Sequence, residues 1–276
     1  MTIAQAAPSP RPHEGHDTLV VTITPTGAQA YGQCPLHFAE VFQKQSPHLA
    51  NRAIERGKYL HALVHRYNRA LIEGDGSPLA PDEVIARVPV PRAFSDGADD
   101  ETAAITYAHE QLCGYKAWLD EADFAAILGA EQYVRTPGRR VTGVEGAAVV
   151  FSGRIDLVAL GRDNRLVLAD VKASSVLAPD TLQAAPSTFV YRHLGVWAYG
   201  NDDIDIVQVV PATGHTVRAH LIPDNIEAGT ALCRAMVASV AARSFPPRPG
   251  EYCAYCAYAT ECPAFTGQGS LAAAAF

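Results

Sequence analysis

Four of the six cysteines stand at the two ends of the chain, and this distribution restricts the fold more than any other feature of the sequence. Cys34 lies near the start, whereas Cys253, Cys256 and Cys262 form a C-x2-C-x5-C pattern near the end. Thiolates with C-x2-C spacing can bind one metal from a tight turn. If Cys34 completes this set of ligands, the first and last parts of the folded chain must lie side by side.

The cysteine set suits either a tetrahedral zinc ion or an iron–sulfur cluster, since both accept four thiolates. The spacing does not distinguish the two, and reduced thiols without metal are a third alternative. Six cysteines in 276 residues are too few for a disulfide scaffold, so the pattern indicates a reducing compartment, and we expect a cytoplasmic protein. Cys113 and Cys233 have no metal-binding spacing and are expected to be buried free thiols.

A second set of reactive side chains lies on two apolar segments in the middle of the chain. Asp156 follows Gly-Arg-Ile, and one residue separates Asp170 from Lys172. Residues two apart on a strand point to the same face, so Asp170 and Lys172 are expected side by side. The short turn at 161–164 would fold the two segments into a hairpin and bring Asp156 near Asp170. Close carboxylates repel each other unless a proton or a divalent cation intervenes, and Mg²⁺ favours oxygen ligands.

These charged residues also have a purely structural explanation. Asp170 could pair with Lys172, and Asp156 with Arg154, as ordinary ion pairs on strands. The sequence alone leaves the metal site and the ion pairs open as alternatives.

His61 lies near the apolar side of a predicted amphipathic helix, where a lone histidine is usually a packing residue. His65 stands one turn later and competes for any role that is given to His61.

The periodicity of apolar residues predicts an α+β fold, with helices in the first half and a central sheet after them. The predicted helices are Thr24–Gln43, Asn51–Glu73, Glu101–Glu121, Pro186–Tyr199 and Pro223–Arg243. The predicted strands are Glu131–Arg135, Ala147–Phe151, Arg154–Leu160, Leu166–Val171, Ile204–Pro211 and Thr216–Leu221. Thr24 and Pro25 resemble a helix start, and Cys34-Pro35 falls inside the first helix or at a break in it.

We expect a single domain over residues 18–266, with a disordered leader at 1–17 and a flexible tail at 267–276. Residues 74–100 are dense in Pro, Gly and Asp and are predicted to form a loop or an insertion. The net charge of −7 provides no general attraction to nucleic acid, although a cleft can be locally basic on an acidic protein. No apolar run reaches the ~18 residues of a membrane span, so no membrane contact is expected.

Taken in chain order, these motifs resemble the RecB-type branch of the PD-(D/E)XK nuclease superfamily, and the cysteines are similar to those of its iron–sulfur members. Those members are the CRISPR-associated exonucleases and the nuclease domain of AddB-type helicase–nucleases. The motifs that carry the resemblance are Cys34-Pro35, Gly57-x-x-x-His61, Gly-Arg-Ile-Asp156, Asp170-x-Lys172 and the cysteine pattern that ends at Cys262. The resemblance implies an α/β restriction-endonuclease-like core, with a central mixed sheet flanked by helices and the late cysteines closing on the early one.

The resemblance also implies a role for each motif residue. His61, Asp156, Asp170 and the backbone carbonyl of Val171 would hold Mg²⁺ or Mn²⁺. Lys172 would be the catalytic lysine, acting with the two aspartates.

The family carries Gln-x-x-x-Tyr on the helix after the lysine strand, and this chain departs from that pattern. His193 takes the place of the glutamine and Trp197 that of the tyrosine, and with Tyr199 they would form the substrate-binding set. Packing of this helix against the sheet is the alternative explanation of the three residues.

The resemblance thus implies a metal-dependent deoxyribonuclease, an exonuclease on single-stranded DNA or DNA ends that serves recombination, repair or CRISPR-type DNA processing. It favours a [4Fe–4S] cluster over Zn²⁺ at Cys34, Cys253, Cys256 and Cys262. A catalytically weak or inactive DNA-binding subunit of the same fold is the alternative, and a zinc-stabilised enzyme unrelated to nucleic acid is a third. The sequence contains no G-x-x-x-x-G-K-[ST] loop, so we expect a stand-alone nuclease or a subunit whose partner is a helicase, a CRISPR protein or a recombination protein.

Overall fold

The structure is a computed structural model of the 276-residue chain, and it describes residues 18–43, 52–74, 79–91, 98–174 and 176–266. The leader predicted at 1–17 and the tail predicted at 267–276 lie outside the described residues.

Within the described residues the chain forms strands and helices in an order that confirms the predicted mixed fold. The strands are β1 Leu19–Ile23, β2 Ala126–Arg135, β3 Arg139–Arg140, β4 Ala147–Leu160, β5 Leu166–Val171, β6 Ile204–Val210 and β7 His215–His220. The helices are α1 Pro25–Gln33, α2 Pro35–Phe38, α3 Arg52–Glu73, α4 Pro81–Ile85, α5 Ala98–Ala122, α6 Pro179–Ala184, α7 Pro186–Tyr199, α8 Pro223–Ala242 and α9 Pro263–Thr266. A π-helical turn at Ala39–Gln43 and 3₁₀ turns at Pro211–Thr213, Glu251–Tyr255 and Ala259–Glu261 complete the elements.

The strands build one mixed sheet of seven strands, with β4 at its centre. β4 pairs in parallel with β1 and antiparallel with β2, β3 and β5. β5 continues in parallel to β6, and β6 pairs antiparallel with β7. Every residue of β5 and β6 is buried, because helices cover both faces of these strands.

Two apolar cores pack on the sheet. In one core, α1, α7 and α8 lie against β1, β4, β5 and β6. In the other, α3 and α5 lie against β4, β5 and β6. The predicted apolar face of α3 is confirmed over most of its length, since Leu60, Leu63, Val64 and Tyr67 are buried, whereas Ile54 at its start is exposed. Among the described residues, no helix combines the length and the apolar character that a membrane span requires.

The first predicted helix ends where the chain reaches Cys34. Thr24 caps α1 as expected, because its hydroxyl accepts a hydrogen bond from the Gly27 amide at 3.0 Å. Cys34 adopts an extended conformation between α1 and α2, and Pro35 begins α2 at a position where its missing N–H costs nothing. Cys34-Pro35 therefore stands at a break between two helices, which is the second of the two positions that the sequence allowed for it.

Several strand boundaries differ from the prediction. β1 and the two-residue β3 are not predicted, β2 begins five residues earlier than Glu131, and the two segments predicted at Ala147–Phe151 and Arg154–Leu160 form the single strand β4. Gly153 separates the two predicted segments, as a turn would, but it lies inside β4, where its bare Cα allows Leu194 and Pro25 to pack closely. Part of the predicted loop at 74–100 is helical, since it contains α4 and the start of α5, and its residues 75–78 and 92–97 lie outside the described residues.

We expect the close packing of α5 on the Pro211 turn to make Gly114→Ala strongly destabilising. A Cβ at Gly114 would fall within the van der Waals radius of the Pro211 carbonyl oxygen, and backbone atoms cannot yield as a flexible side chain can. The free energy of unfolding in guanidinium chloride should fall by more than about 2 kcal/mol.

Gly57→Ala is the matched control, since a Cβ there would meet nothing within 4 Å. Alanine should stabilise α3 by about 0.8–1 kcal/mol through its higher helix propensity. Equal effects of the two substitutions would contradict the packing of α5 on the turn.

Candidate active site

Strand pairing brings three carboxylates into one row across the sheet. Leu157 of β4 pairs with Ala169 of β5 in an antiparallel register. The next two residues that face each other across these strands are therefore Asp156 and Asp170. β2 pairs with the other edge of β4, and the residues on either side of Glu131 pair with those on either side of Asp156, so Glu131 lies across from Asp156. The side chains of all three acids are at least nine-tenths buried.

Helix α3 brings His61 to this row of carboxylates. The Nδ1 atom of His61 lies 3.4 Å from Oδ1 of Asp156 and 3.7 Å from Oε1 of Glu131. One potential ligand atom from each of the three residues lies within 4.8 Å of the others. This spacing suits a single metal ion with one nitrogen and two oxygen ligands.

The buried charges shift the pKa values of the site. Burial raises the pKa of Asp156 and the charge of Asp170 raises it further, whereas His61 and the Val171 amide lower it. Burial alone would lower the pKa of His61, but the attraction of the neighbouring Asp156 and Glu131 carboxylates outweighs it and raises the pKa to about 10. The protonated imidazole thus balances part of the negative charge, a role that a divalent cation would take over when His61 becomes a ligand.

Asp170 is held by two donors on one of its oxygens. Lys172 Nζ lies 2.7 Å from Oδ2, and Gln208 Nε2 donates to the same oxygen at 3.1 Å. Gln208 is itself fixed, since its Oε1 accepts the Leu177 amide at 3.0 Å. The second oxygen of Asp170, Oδ1, accepts no hydrogen bond from any described residue and therefore remains available to a ligand. The expected neighbourhood of Asp170 and Lys172 is confirmed.

The backbone of Val171 also faces the carboxylates. Its amide donates to Oδ2 of Asp156 at 2.8 Å, whereas the Lys172 amide turns the other way and donates to Val209. The N–H and C=O of one strand residue point towards the same neighbour, so the Val171 carbonyl is directed to the side of Asp156.

Glu131 is a site residue that the sequence analysis did not single out. It lies in β2 with a positive φ of 48°, a conformation that non-glycine residues seldom adopt. Its Oε1 is buried and has no hydrogen-bond partner among the described residues. A strained, unsatisfied acid beside two other ligands fits a cation site. Its only sequence signal is an acid at the start of a predicted strand, which is weak without the pairing register.

Tyr191 of α7 is a second residue that sequence reasoning missed. Burial raises its pKa well above the usual value, and the charges of Asp170, Asp156 and Glu131 raise it further. The phenol therefore stays protonated beside the carboxylates.

The other predicted residues have separate positions. Of the two ion pairs that formed the structural alternative, Asp170–Lys172 is present, whereas Arg154 pairs with Glu131 at 3.5 Å and not with Asp156. His65 lies outside the ligand group, and its Nδ1 is buried without a hydrogen-bond partner in the described chain.

The three residues predicted to bind substrate lie on α7 and form no hydrogen bond to the carboxylates within the described structure. His193 packs against Phe151, with ring centroids 4.4 Å apart. Trp197 is 47% exposed, and the Tyr199 hydroxyl donates to Gln132. Their role in substrate binding stays a prediction.

The four terminal cysteines lie together, as their distribution indicated. Cys34, Cys253, Cys256 and Cys262 line one cavity with apolar and aromatic walls that include Pro247, Tyr258 and Phe265. Backbone amides approach two of the sulfurs, that of Arg248 at 3.4 Å from Cys34 and that of Gly250 at 3.3 Å from Cys253. Cys233 is a buried thiol as predicted, and burial raises its pKa to about 12, but Cys113 is exposed, so the prediction of its burial is wrong.

Comparison with known proteins adds an independent finding. A family model described as the PD-(D/E)XK nuclease superfamily matches residues 22–263. Among solved structures, the crystal structure of SSO0001 is similar, with 14% sequence identity, coverage of 91% of this chain and 89% of that chain, and a TM-score of 0.42. No curated protein sequence matches the chain significantly.

We expect Glu131→Gln to weaken divalent-cation binding at this site. The substitution keeps the shape of the side chain but removes a charge next to His61 and Asp156, and Mn²⁺ affinity should fall at least about tenfold, as is typical for the loss of groups that support a metal site. Isothermal titration calorimetry with MnCl₂ measures the effect.

Glu121→Gln is the control, because Glu121 is exposed at the end of α5. An Mn²⁺ affinity of the Glu131 variant equal to that of the control would exclude Glu131 from the cation site.

Proposed function

This chain belongs to the PD-(D/E)XK nuclease superfamily, and we propose that it is a metal-dependent deoxyribonuclease that degrades single-stranded DNA or DNA from its ends. The observation that carries the proposal is the buried row of Glu131, Asp156 and Asp170, with His61 on one side and Lys172 on the other.

The donor set fits a hard divalent cation, Mg²⁺ or Mn²⁺. Its members are carboxylate oxygens and one imidazole nitrogen, and the Val171 carbonyl faces the same side. The unsatisfied Oε1 of Glu131 and the free Oδ1 of Asp170 are oxygens that such an ion would bind. When bound, the ion would polarise a phosphate oxygen and lower the pKa of a water ligand.

The chain's own residues would position the reaction around that ion. Lys172 is held by Asp170 and is partly exposed, so its ammonium can hydrogen-bond an attacking water and offset negative charge on the phosphate. Gln208 keeps Asp170 in place, and Tyr191, protonated and partly buried, lies on the α7 side of the carboxylates. This arrangement supports the proposed catalytic roles of Asp156, Asp170 and Lys172.

A DNA-binding subunit with weak or no activity is the second candidate. The specific observation in its favour is that His193 and Trp197 replace the glutamine and tyrosine of the family pattern. Against it, the ligands and the lysine are all present and close together.

We expect Asp170→Asn and Lys172→Ala each to abolish cleavage of end-labelled single-stranded DNA in Mn²⁺ or Mg²⁺. Loss of a ligand or of the lysine should lower the rate at least about 10³-fold, which corresponds to about 4 kcal/mol in the activation barrier. Gel analysis of 5′- and 3′-labelled strands measures the rate and the direction of digestion.

Lys116→Ala serves as the control, since Lys116 is exposed on α5 and pairs only with Asp120. If the Asp170→Asn variant still cleaved DNA, these carboxylates would not be the active site. A wild-type protein that binds DNA without cutting it would favour the second candidate.

We further propose that Cys34, Cys253, Cys256 and Cys262 hold a [4Fe–4S] cluster as a structural link between the two ends of the domain. All four cysteines line one cavity. The resemblance favours a cluster over zinc at this site, with each thiolate bound to a different iron. The amides beside Cys34 and Cys253 would stabilise the negative charge on sulfur.

We expect Cys256→Ala to lose the iron and to lower the thermal midpoint by about 6 °C or more. A link that closes most of the chain is worth about 3 kcal/mol, and a domain of this size shifts by roughly 2–4 °C per kcal/mol. Iron analysis and calorimetry of anaerobically purified protein provide the measurement.

Cys113→Ala is the matched control, because Cys113 is an exposed thiol on α5 outside the cavity. An unchanged iron content and midpoint in Cys256→Ala would eliminate the link.

The cytoplasm, with its reducing chemistry, is the location we propose for such a protein. Recombination, repair or CRISPR-type DNA processing, with a helicase or another protein of these pathways as partner, is proposed from the resemblance alone.

A further inference from the structure

A groove beside α7 carries a concentration of arginines that the proposed active site does not use. It consists of two adjoining hollows that share Arg139, Val149, Phe151 and His193. One extends towards α8 and Arg234, and the other extends along α7 to Arg192 and Trp197. We call this surface the arginine groove and define it by Arg139, Arg140, Arg192, Arg234, His193 and Trp197.

The arginines of this groove lack acidic partners within the part of the chain that the structure describes. Arg139, Arg140, Arg192 and Arg234 form no ion pair with any residue that the structure describes, and no aspartate or glutamate lines either hollow. Some arginines elsewhere are paired with an acid, as Arg162 is with Asp123 and Arg69 with Glu73. On a chain with a net charge of −7, four unpaired guanidiniums around one groove mark a site for an anion.

The form of the groove favours an extended polyanion over a small one. The arginines line two adjoining hollows and belong to three elements, β3, α7 and α8. Arginines spread along a groove match successive phosphates of a nucleic-acid strand.

The surface between the arginines is aromatic and apolar. Trp197 is 47% exposed, and the His193 ring is held in place by Phe151 and Phe189, with centroids 4.4 and 5.5 Å away. The burial of His193 and the charges of Arg139 and Arg192 lower its pKa, so the ring is neutral and can stack on a base. Such stacking requires unpaired bases, which a duplex does not present.

The groove and the carboxylates share two elements. Phe151 lies five residues before Asp156 on β4, a distance of about 17 Å along a strand. His193 and Tyr191 both belong to α7. A strand that occupies the groove would therefore reach the row of carboxylates within a few nucleotides.

We propose that the arginine groove binds a single strand of DNA a few nucleotides from the scissile bond, with phosphates on the arginines and bases against Trp197 and His193. This inference rests on the proposed nuclease function and assigns its substrate as single-stranded. It also assigns His193 and Trp197 to substrate binding at a distance from the carboxylates, to which they form no hydrogen bond within the described structure.

The test is the binding of a fluorescein-labelled 20-nucleotide oligothymidine to the full-length protein in EDTA, measured by anisotropy between 50 and 300 mM KCl. In Arg139→Gln/Arg234→Gln the dissociation constant should rise at least about tenfold. The slope of log K against log[salt] should fall by about 1.4, because each lost phosphate contact to a single strand contributes about 0.7.

The control variant Arg69→Gln/Arg162→Gln removes the same charge from two exposed arginines that are paired with Glu73 and Asp123. It should bind the oligonucleotide as the wild type does. The proposal would be overturned if the groove variant bound the oligonucleotide as tightly as the wild type, or if both double variants were weakened to the same extent. It would also be overturned if the wild type did not bind the oligonucleotide. A duplex bound as tightly and with the same arginine dependence would overturn the single-strand assignment.

Tryptophan fluorescence provides a local readout of the same event. The chain has two tryptophans, and Trp118 is 7% exposed whereas Trp197 is 47% exposed. The oligonucleotide should quench the emission of the wild type and leave that of Trp197→Phe unchanged. Equal quenching of both proteins would place the strand elsewhere.

These outcomes separate the groove from the active site. Binding in EDTA does not require catalysis, so arginine-dependent binding without DNA cleavage would support the groove and reject the nuclease. Thymidine 5′-(p-nitrophenyl phosphate) is too short to span both sites, and the groove variant should cleave it at the wild-type rate. Cleavage of long DNA at an unchanged KM by the groove variant would reject the groove and leave the nuclease intact.

Discussion

The burial of three carboxylates in one row is the constraint on which the site depends. Charged groups leave water at a high cost unless partners compensate them, so Glu131, Asp156 and Asp170 each require a positive charge or a donor nearby. α3 supplies His61, and the residue directly after β5 supplies Lys172. The elements around the sheet therefore carry the compensating groups, and the negative charge that remains is suited to a divalent cation.

β4 connects the parts of the molecule that this chemistry needs. Its second half pairs with β2 and β5 and presents Asp156, whereas its first half pairs with β1 and β3 and presents Phe151 to the arginine groove. A single continuous strand fixes the separation of the two sites, because its length cannot vary as that of a loop can. Gly153 lies between them and lets α1 and α7 pack close to the strand.

Local rules were sufficient to predict which of the candidate site residues lie close together. Asp170 and Lys172 share a face because side chains alternate along a strand, and a short turn returns the chain from Asp156 to β5. The apolar periodicity of α3 was strong enough to place His61 beside the sheet. Strand boundaries were less certain, because Gly153 separates two predicted segments that tertiary packing keeps as one extended strand.

The sequence by itself determined the types of side chain, the order of the elements and the grouping of the cysteines at the ends, since each depends on neighbours within one strand, one helix or one turn. Only the tertiary structure decided that Glu131 and Gln208 join the site, because the register of β2 on β4 and of β6 on β5 pairs residues far apart in the chain. It also decided that four arginines remain without acidic partners beside α7. Whether a charge is neutralised depends on which distant groups packing brings to it, and no local pattern specifies that.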